Sequence, residues 1–280
     1  MNAQDIINSI NSVSEKLFKS IESEVYTYLD KLVGITPDIF KDEPLKKILS
    51  QDSFNSIILI ANSFVLFYII FFIIQKLISM YNGEKSQSVY RFIIKLIIVG
   101  ALVNSSFLIC KEIINLTSLL NNCIDGLIQD VCGKSATFEN LKESILKIED
   151  LTKSDVLSLN GVIKGVISFG SISILINFGI RYVTIIFFII TAPFAFVTLS
   201  NESTVGIFKT WMKSFFISLM TQIVVKIVIF IPLLYKKTNS MMYKIILVGS
   251  IYIIYKINNF TKQIFVKISP DMPRRNIFNN

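Results

Sequence analysis

Residues 56–74 read SIILIANSFVLFYIIFFII, a run without one charged side chain. The clearly polar residues in it are Ser56, Asn62 and Ser63. A helix of about 20 apolar residues crosses the roughly 30 Å of hydrocarbon in a bilayer. Such a helix also satisfies its own backbone hydrogen bonds, which lipid cannot do for it. The run therefore predicts a membrane-spanning α-helix.

Similar apolar blocks recur along the 280-residue chain, which is 52% apolar and has a mean hydropathy of +0.60. Together they predict an all-α integral membrane helical bundle with about five spans, and six spans are the alternative. Two spans fall in a domain over 54–110 and the others in a domain over 161–258. We place the five spans at 54–75, 90–110, 161–200, 212–234 and 243–257.

The stretch 161–200 allows two arrangements. It holds either two spans with a tight turn near Gly179, Ile180 and Arg181, or one long span followed by a broken or re-entrant piece. The break would fall at Ala192 and Pro193, because proline lacks the N–H that a helix needs and its ring crowds the preceding turn. The preference for five spans selects the long span, with its break buried among the helices.

Outside the spans the sequence predicts two further helical regions. The domain 1–53 begins with an amphipathic helix that ends near Gly34, with Pro37 just beyond, and that lies on the membrane surface or docks on a partner. Residues 111–160 carry too many charges to span and form an extracytoplasmic loop with a small helical unit. Apolar residues at helical spacing define both regions, at Ile6, Ile10, Val13, Leu17, Ile21 and Val25 in the first and at Leu141, Ile145, Ile148 and Leu151 in the second.

The chain contains three cysteines, too few for a disulfide framework. Cys110 lies at the end of the second predicted span, and Cys123 and Cys132 lie nine residues apart in the predicted loop. An extracytoplasmic loop is in an oxidising setting, where a bridge between Cys123 and Cys132 can form. A bridge and two free thiols are both compatible with the sequence.

The net charge of +8 is concentrated in the second half of the chain. Residues 1–155 carry 15 basic and 18 acidic side chains, whereas residues 156–280 carry 13 basic and two acidic ones. Because Lys and Arg favour the cytoplasmic side, five spans place the N-terminus outside and the basic tail, 259–280, in the cytoplasm. A basic half suits nucleic acid or anionic lipid, but low-GC coding also favours Lys. We expect a multi-pass cell-membrane protein of a low-GC bacterium.

The sequence offers little for catalysis. It contains no His, the commonest general base and metal ligand, and no phosphate-binding loop or nucleophile elbow. No acid falls within the predicted spans, which disfavours a transporter driven by protons or sodium. We therefore expect no enzymatic activity, no cofactor and no metal site.

Two cations, Arg181 and Lys226, fall inside predicted spans. Each costs roughly 2.5–3.5 kcal/mol at a span centre. Such side chains usually face the bundle interior or a wet cavity, and snorkelling to the headgroups is the alternative. Expected partners of Arg181 are backbone carbonyls freed near Pro193, the side chains of Ser173 and Asn177, lipid phosphate or a transported polyanion.

Polar residues share helical faces with these cations. Asn177 lies one turn before Arg181, and Gln222 one turn before Lys226. Such faces are typical of helix–helix packing or of a conduit lining. Arg181, Lys226, Asn177 and Gln222 are thus candidate conduit or assembly residues. Trp211 precedes a predicted span and is interpreted as an anchor at the membrane interface.

The stretch 181–222 reads RYVTIIFFIITAPFAFVTLSNESTVGIFKTWMKSFFISLMTQ. An Arg near a span is followed by an Ala-Pro step, a short polar turn, and a Trp leading a span that ends in Gln. This order resembles the core of the TrbL-like family, the polytopic membrane subunits of type IV secretion and conjugal-transfer machines. Residues 249–265 resemble that family's last span and basic exit. The matching positions are Arg181, Ala192, Pro193, Asn201, Glu202, Trp211 and Gln222.

The resemblance implies a passive channel subunit for single-stranded DNA with bound protein, or for protein alone. Copies or other secretion-machine subunits would surround the conduit in the lipid bilayer, and ATPases elsewhere would supply the energy. A cationic wall would attract the phosphate backbone without reading sequence. Alternatives are a small-molecule permease subunit or a bacteriocin-associated membrane protein acting in immunity or export.

The charge distribution makes a prediction about topology. A cysteine at Asn276, in an otherwise cysteine-free variant, should resist a membrane-impermeant thiol reagent in intact cells, because five spans place the tail in the cytoplasm. Lysis should expose it to the reagent. Labelling in intact cells would require six spans.

Overall fold

The computed structural model describes residues 9, 11–13, 16, 24–49, 56–83, 88–146, 158–235 and 240–268. These residues form helices joined by short connections, and no strand occurs among them. The predicted all-α class is therefore confirmed. Short 3-10 helices occupy Pro37–Lys41 and Thr198–Ser200. The continuous α-helices are α1 (24–33), α2 (Glu43–Leu49), α3 (Ile57–Tyr81), α4 (Val89–Asn104), α5 (Ser106–Cys132), α6 (Phe138–Leu146), α7 (Leu159–Val197), α8 (Val205–Leu233), α9 (Met241–Tyr255) and α10 (Ile257–Ile268).

Within the described parts of the chain, four helices are long and apolar enough to cross a membrane. They are α3, α5, α7 with the 3-10 turn after it, and α8. The helix α9 and the segment Ile257–Ile264 of α10 form a further candidate, bent by 74° at the break. The chain is thus a multi-pass membrane protein, and the expected number of about five spans is confirmed.

The helix α3 shows how the sequence sets both ends of a span. Ser56 caps the start, where its hydroxyl accepts a hydrogen bond from the N–H of Leu59 at 3.3 Å. Gly83 follows the end with a φ of +68°, a conformation that glycine adopts without strain. Between them Leu66 and Phe67 remain more than half exposed within the chain. Large exposed apolar surfaces of this kind suit lipid or a membrane partner.

The second predicted span, 90–110, is wrong in its boundaries. The helix α4 ends at Asn104, and α5 starts at Ser106 and continues for 27 residues into the predicted loop. At the break, two side chains bond the last carbonyls of α4. Asn104 donates to the carbonyl of Gly100 at 2.8 Å, and Ser105 donates to that of Ala101 at 2.7 Å. The charges of α5 hide its length from a hydropathy reading, because they are averaged with those of the following residues.

The disulfide alternative is wrong for the same reason. Cys123 and Cys132 both lie on α5, and both are free thiols. Nine residues of helix separate their Cα atoms by about 13–14 Å along the axis, whereas a bridge requires roughly 4.4–6.8 Å. The helix therefore keeps the two thiols apart.

The stretch 161–200 is one helix without the alternative turn at Gly179. The helix α7 has 39 residues, contains Pro193, and is followed directly by the 3-10 turn. The predicted break at Ala192 and Pro193 is therefore wrong, although both residues are buried. Proline removes one N–H donor, whereas unwinding in lipid would strand several backbone groups, so the helix continues.

The chain divides into two compact units. Unit 1 comprises Met1–Ile35, Leu119–Tyr182 and Ile217–Asn280. Its core joins α1, α6 and α9 to parts of the long helices, and the ring of Phe138 on α6 meets Phe178 on α7 edge-on at 6.1 Å. Its largest fully buried side chains include Tyr26, Leu29, Phe138, Leu141, Phe178 and Tyr243.

The two helical regions predicted outside the spans thus form part of this core. Leu141 and Ile145 are buried in it, so α6 is not a separate unit of a loop. The helix α1 ends at Val33, one residue before the predicted Gly34, and packs against other helices of its own chain. Val25 packs against the core, and Val13 is exposed. The remaining predicted positions, Ile6, Ile10, Leu17, Ile21, Ile148 and Leu151, lie outside the described residues.

Unit 2 comprises Thr36–Ser118 and Val183–Phe216. In it Phe72 of α3 stacks on Phe92 of α4, with ring centroids 3.5 Å apart. Trp211 is only 9% exposed, stacks on Phe215 at 5.5 Å and donates its indole N–H to the hydroxyl of Thr191 at 3.1 Å. Other aromatic side chains thus enclose the ring of Trp211, and its role as an interface anchor stays a prediction.

The close approach of α7 to α9 gives a stability prediction. A Cβ atom built on Gly170 would lie 2.7 Å from Cγ2 of Ile251. We expect Gly170→Val to lower the thermal unfolding midpoint in detergent, since overpacking costs about 1–3 kcal/mol and Ile is stiff about χ1. Gly179→Val is the matched control on the same helix, because a Cβ there has no atom within 4 Å. Equal midpoints for the two variants would contradict the close approach.

Candidate functional site

The last backbone groups of α1 are buried among apolar side chains. Val33 and Ile35 are both buried, and the N–H of Ile35 donates to the carbonyl of Val33 at 3.1 Å. The last carbonyls of a helix have no intrahelical N–H partner, and water cannot reach them here. This turn therefore requires hydrogen-bond partners from the surrounding helices.

Arg181 of α7 supplies one partner. Its Nη1 donates to the carbonyl of Val33 at 3.2 Å, and its Nε donates to the carbonyl of Ser218 at 2.7 Å. The side chain is 3% exposed, so it occupies the interior position expected of a charge in a span. A cation next to the C-terminal end of α1 also interacts favourably with the helix dipole.

Gln222 of α8 supplies the other partner. Its Oε1 accepts a hydrogen bond from the N–H of Ile35 at 3.0 Å, and the residue is fully buried. Ser218, which accepts from Arg181, lies one helical turn before Gln222, so the guanidinium and the amide are neighbours. We refer to Arg181, Gln222 and the turn Val33–Ile35 as the clamp.

The partners of Arg181 differ from those predicted. Ser173 donates to the carbonyl of Phe169 in its own helix at 3.1 Å. Asn177 donates to the carbonyl of Tyr255, the last residue of α9, at 3.1 Å. Asn177 thus holds the end of another short helix, at the break between α9 and α10. Arg181, Gln222 and Asn177 all bind backbone groups at such ends.

Lys226 pairs with an acid that the sequence did not place in a span. Its Nζ forms an ion pair with Oδ2 of Asp125 on α5, and the two side chains are 12% and 26% exposed. The expectation that no acid falls within the spans is wrong, because α5 continues through the predicted loop. A single sequence gives no signal for this pair, because its members are 101 positions apart.

Asp30 links α1 to α6, and the sequence analysis did not identify it. Its carboxylate accepts from the N–H of Phe138 at 2.8 Å and from that of Glu139 at 3.1 Å, at the start of α6. A carboxylate is favourable at a helix N-terminus. Burial raises the pKa of Asp30, while the two backbone hydrogen bonds and the nearby charge of Lys226 act to lower it. Nothing in the spacing of the residues of α1 distinguishes Asp30 from a solvated acid.

The arrangement holds helix ends in place, and it brings no nucleophile to a base. Among the described residues no group of three or more His, Cys, Asp or Glu could hold a metal ion. No protein-family model, curated protein or solved structure matches the chain.

The ion pair gives a prediction about stability. We expect Lys226→Met to lower the unfolding midpoint, because it leaves Asp125 charged without its partner, a loss of up to about 3–5 kcal/mol for a buried pair. The double variant Lys226→Met, Asp125→Leu should recover most of the loss, since both charges are then removed together. A double variant less stable than Lys226→Met alone would contradict a simple pair. Thermal unfolding in one detergent measures all three proteins.

Proposed function

We propose that this chain is a structural membrane subunit of a conjugal-transfer or type IV secretion machine. The observation that supports the structural role is that the polar residues of the long helices are bonded to other parts of the chain. Arg181, Gln222 and Asn177 bind backbone groups at helix ends, and Lys226 pairs with Asp125. Side chains engaged in this way support a rigid scaffold and are poorly placed to bind a moving substrate.

A passive role for this subunit follows from that engagement. The conduit would form between copies or between this subunit and others of the machine, and it would not run past Arg181 within one chain. Exposed apolar faces such as that of α3 support contacts with lipid and with other membrane helices. ATPases elsewhere in the machine would drive transport, and the chain would have no enzymatic activity of its own.

The choice of machine rests on the resemblance to the TrbL-like family. Two residues of the resembling stretch, Arg181 and Gln222, are those that hold the end of α1. A scaffold role for both residues would explain why such a pattern contains an Arg and a Gln at these positions. The proposed substrate is single-stranded DNA with bound protein, or protein alone, and the proposed site is the cell membrane of a low-GC bacterium.

A mating or secretion assay tests this function. Deletion of the coding sequence should abolish transfer, and the wild-type gene should restore it. Arg181→Ala should lower transfer and membrane abundance together, by several-fold, because the carbonyls of Val33 and Ser218 each lose a hydrogen bond to a charged donor, at about 1.5–3 kcal/mol each. Arg181→Lys should retain part of both, since it keeps the charge without the planar fork.

Lys213→Ala is the matched control, because Lys213 is an exposed cation on α8. It should leave both transfer and abundance at the wild-type level. Normal transfer in the deletion strain would overturn the proposed function and favour a permease or bacteriocin-associated role. Lost transfer with Arg181→Ala at normal abundance would place Arg181 in the substrate path, contrary to the scaffold role.

A further inference from the structure

The chain turns sharply at Lys256, the single residue between α9 and α10, where the two helices are bent by 74°. Packing fixes this bend. Ile257 and Thr261 of α10 are fully buried, and the carbonyl of Tyr255 accepts a hydrogen bond from Asn177 at 3.1 Å. Membrane spans are tilted by about 20° from the bilayer normal on average. With α9 in such an orientation, α10 lies close to the plane of the membrane.

The exposed side chains around this bend are of the kinds that anchor helices at a membrane surface. Tyr252 and Tyr255 are exposed on the last turn of α9, and Phe260 is exposed on α10. Nζ of Lys256 lies 5.0 Å from the centroid of the Tyr252 ring. Tyrosines concentrate at the level of the lipid headgroups, and lysines near helix ends reach toward them. The bend therefore has the composition of a membrane–water interface.

The remaining exposed surface of α10 is polar. Asn259, Lys262 and Gln263 are exposed on it. Charged groups of this kind are costly in hydrocarbon unless they face protein or a wet cavity. The composition of α10 therefore suits a helix that runs along the membrane surface after the bend.

The charge of this region is positive and has no acid near it in sequence. No acidic residue occurs between Glu202 and Asp271. The ion pairs formed by the described residues include neither Lys256 nor Lys262. Anionic lipid headgroups attract such lysines at a membrane surface, and the attraction falls off within a Debye length. The charge and the exposed rings are thus complementary to the same surface.

We propose that α10 lies in the membrane–water interface and binds anionic phospholipid headgroups, such as those of phosphatidylglycerol, through Lys256 and Lys262. The exposed rings of Tyr252, Tyr255 and Phe260 set the depth of the helix, and the lysines select negatively charged lipid. Two of the three rings lie on α9, a candidate membrane helix, which favours lipid over a polyanion in solution. This role of α10 does not rest on the proposed transport function.

Fluorescence quenching tests the position of α10. The full chain carries an environment-sensitive fluorophore on Gln263→Cys, in an otherwise cysteine-free variant, and is reconstituted in bilayers of phosphatidylcholine and phosphatidylglycerol. A nitroxide on the lipid headgroup should quench it more strongly than one near the end of the acyl chain. Stronger quenching by the deep nitroxide would place α10 in hydrocarbon, and quenching by neither would place it in water. Either result would overturn the proposal.

Thermal unfolding tests the preference for anionic lipid. The purified full chain is mixed at constant ionic strength with neutral detergent and an equal mole fraction of phosphatidylglycerol or phosphatidylcholine. We expect the wild-type midpoint to be about 2–4 °C higher with phosphatidylglycerol, at about ten times the dissociation constant. Lys256→Gln with Lys262→Gln should lose this difference and keep the midpoint in phosphatidylcholine, because both side chains are exposed. Equal wild-type midpoints in the two lipids, or a full difference in the double variant, would overturn the lipid site.

Lys46→Gln with Lys111→Gln is the matched control. It removes the same charge from exposed positions on α2 and α5, where Glu43 and Glu112 lie close by in sequence, and it should keep the wild-type difference. A single-stranded oligonucleotide is added to the phosphatidylcholine sample at the same phosphate concentration. A shift equal to that of phosphatidylglycerol would assign the lysines to nucleic acid and overturn the lipid site. The proposed transport function is tested separately, by transfer itself.

Discussion

A helix that ends among apolar side chains leaves carbonyl groups that water cannot reach, and the protein itself must bind them. The end of α1 meets this constraint, and polar side chains also bind the ends of α6 and α9. Arg181 and Gln222 bind the turn after α1, Asn177 binds the last carbonyl of α9, and Asp30 accepts from the first N–H groups of α6. Three of these four polar residues lie on the long helices and serve the ends of short ones. The same residue types in the same places look, from the sequence alone, like the lining of a conduit.

Arg181 and Lys226, both inside long helices, have different partners, and the geometry of each side chain explains which partner it has. The planar guanidinium of Arg181 donates in two directions at once, to carbonyls on α1 and on α8. The ammonium of Lys226 is a compact charge on a flexible stem and pairs with the single carboxylate of Asp125. A lysine at position 181 would keep a positive charge but could not match the spread of the two carbonyls. Arg181 and Lys226 therefore have separate roles and do not form one cationic wall.

The sequence predicts the features that depend on local composition. Predominantly apolar runs predict α3 and α8, and Gly34 with Pro37 predicts the end of α1 to within one residue. Features that depend on a few side-chain bonds are beyond such a reading. At the break, polar side chains bond carbonyls one turn back, and α7 continues through Pro193. The partners of Arg181 lie up to 148 positions away, and a single sequence carries no trace of them.

The docking of α1 and the positive charge of Arg181 depend on each other. Docking of α1 brings a helix C-terminus, with about half a negative charge, against a full positive charge on Arg181, and it covers the guanidinium with Val33 and Ile35. This burial strengthens the interaction between Arg181 and the dipole of α1, because the local dielectric constant falls as water leaves. Burial by Val33 and Ile35 also raises the desolvation free energy of the part of the Arg181 charge that the dipole does not balance. A segment that both partly neutralises and buries Arg181 can therefore be neither an optional surface helix nor a passive extension of the first span.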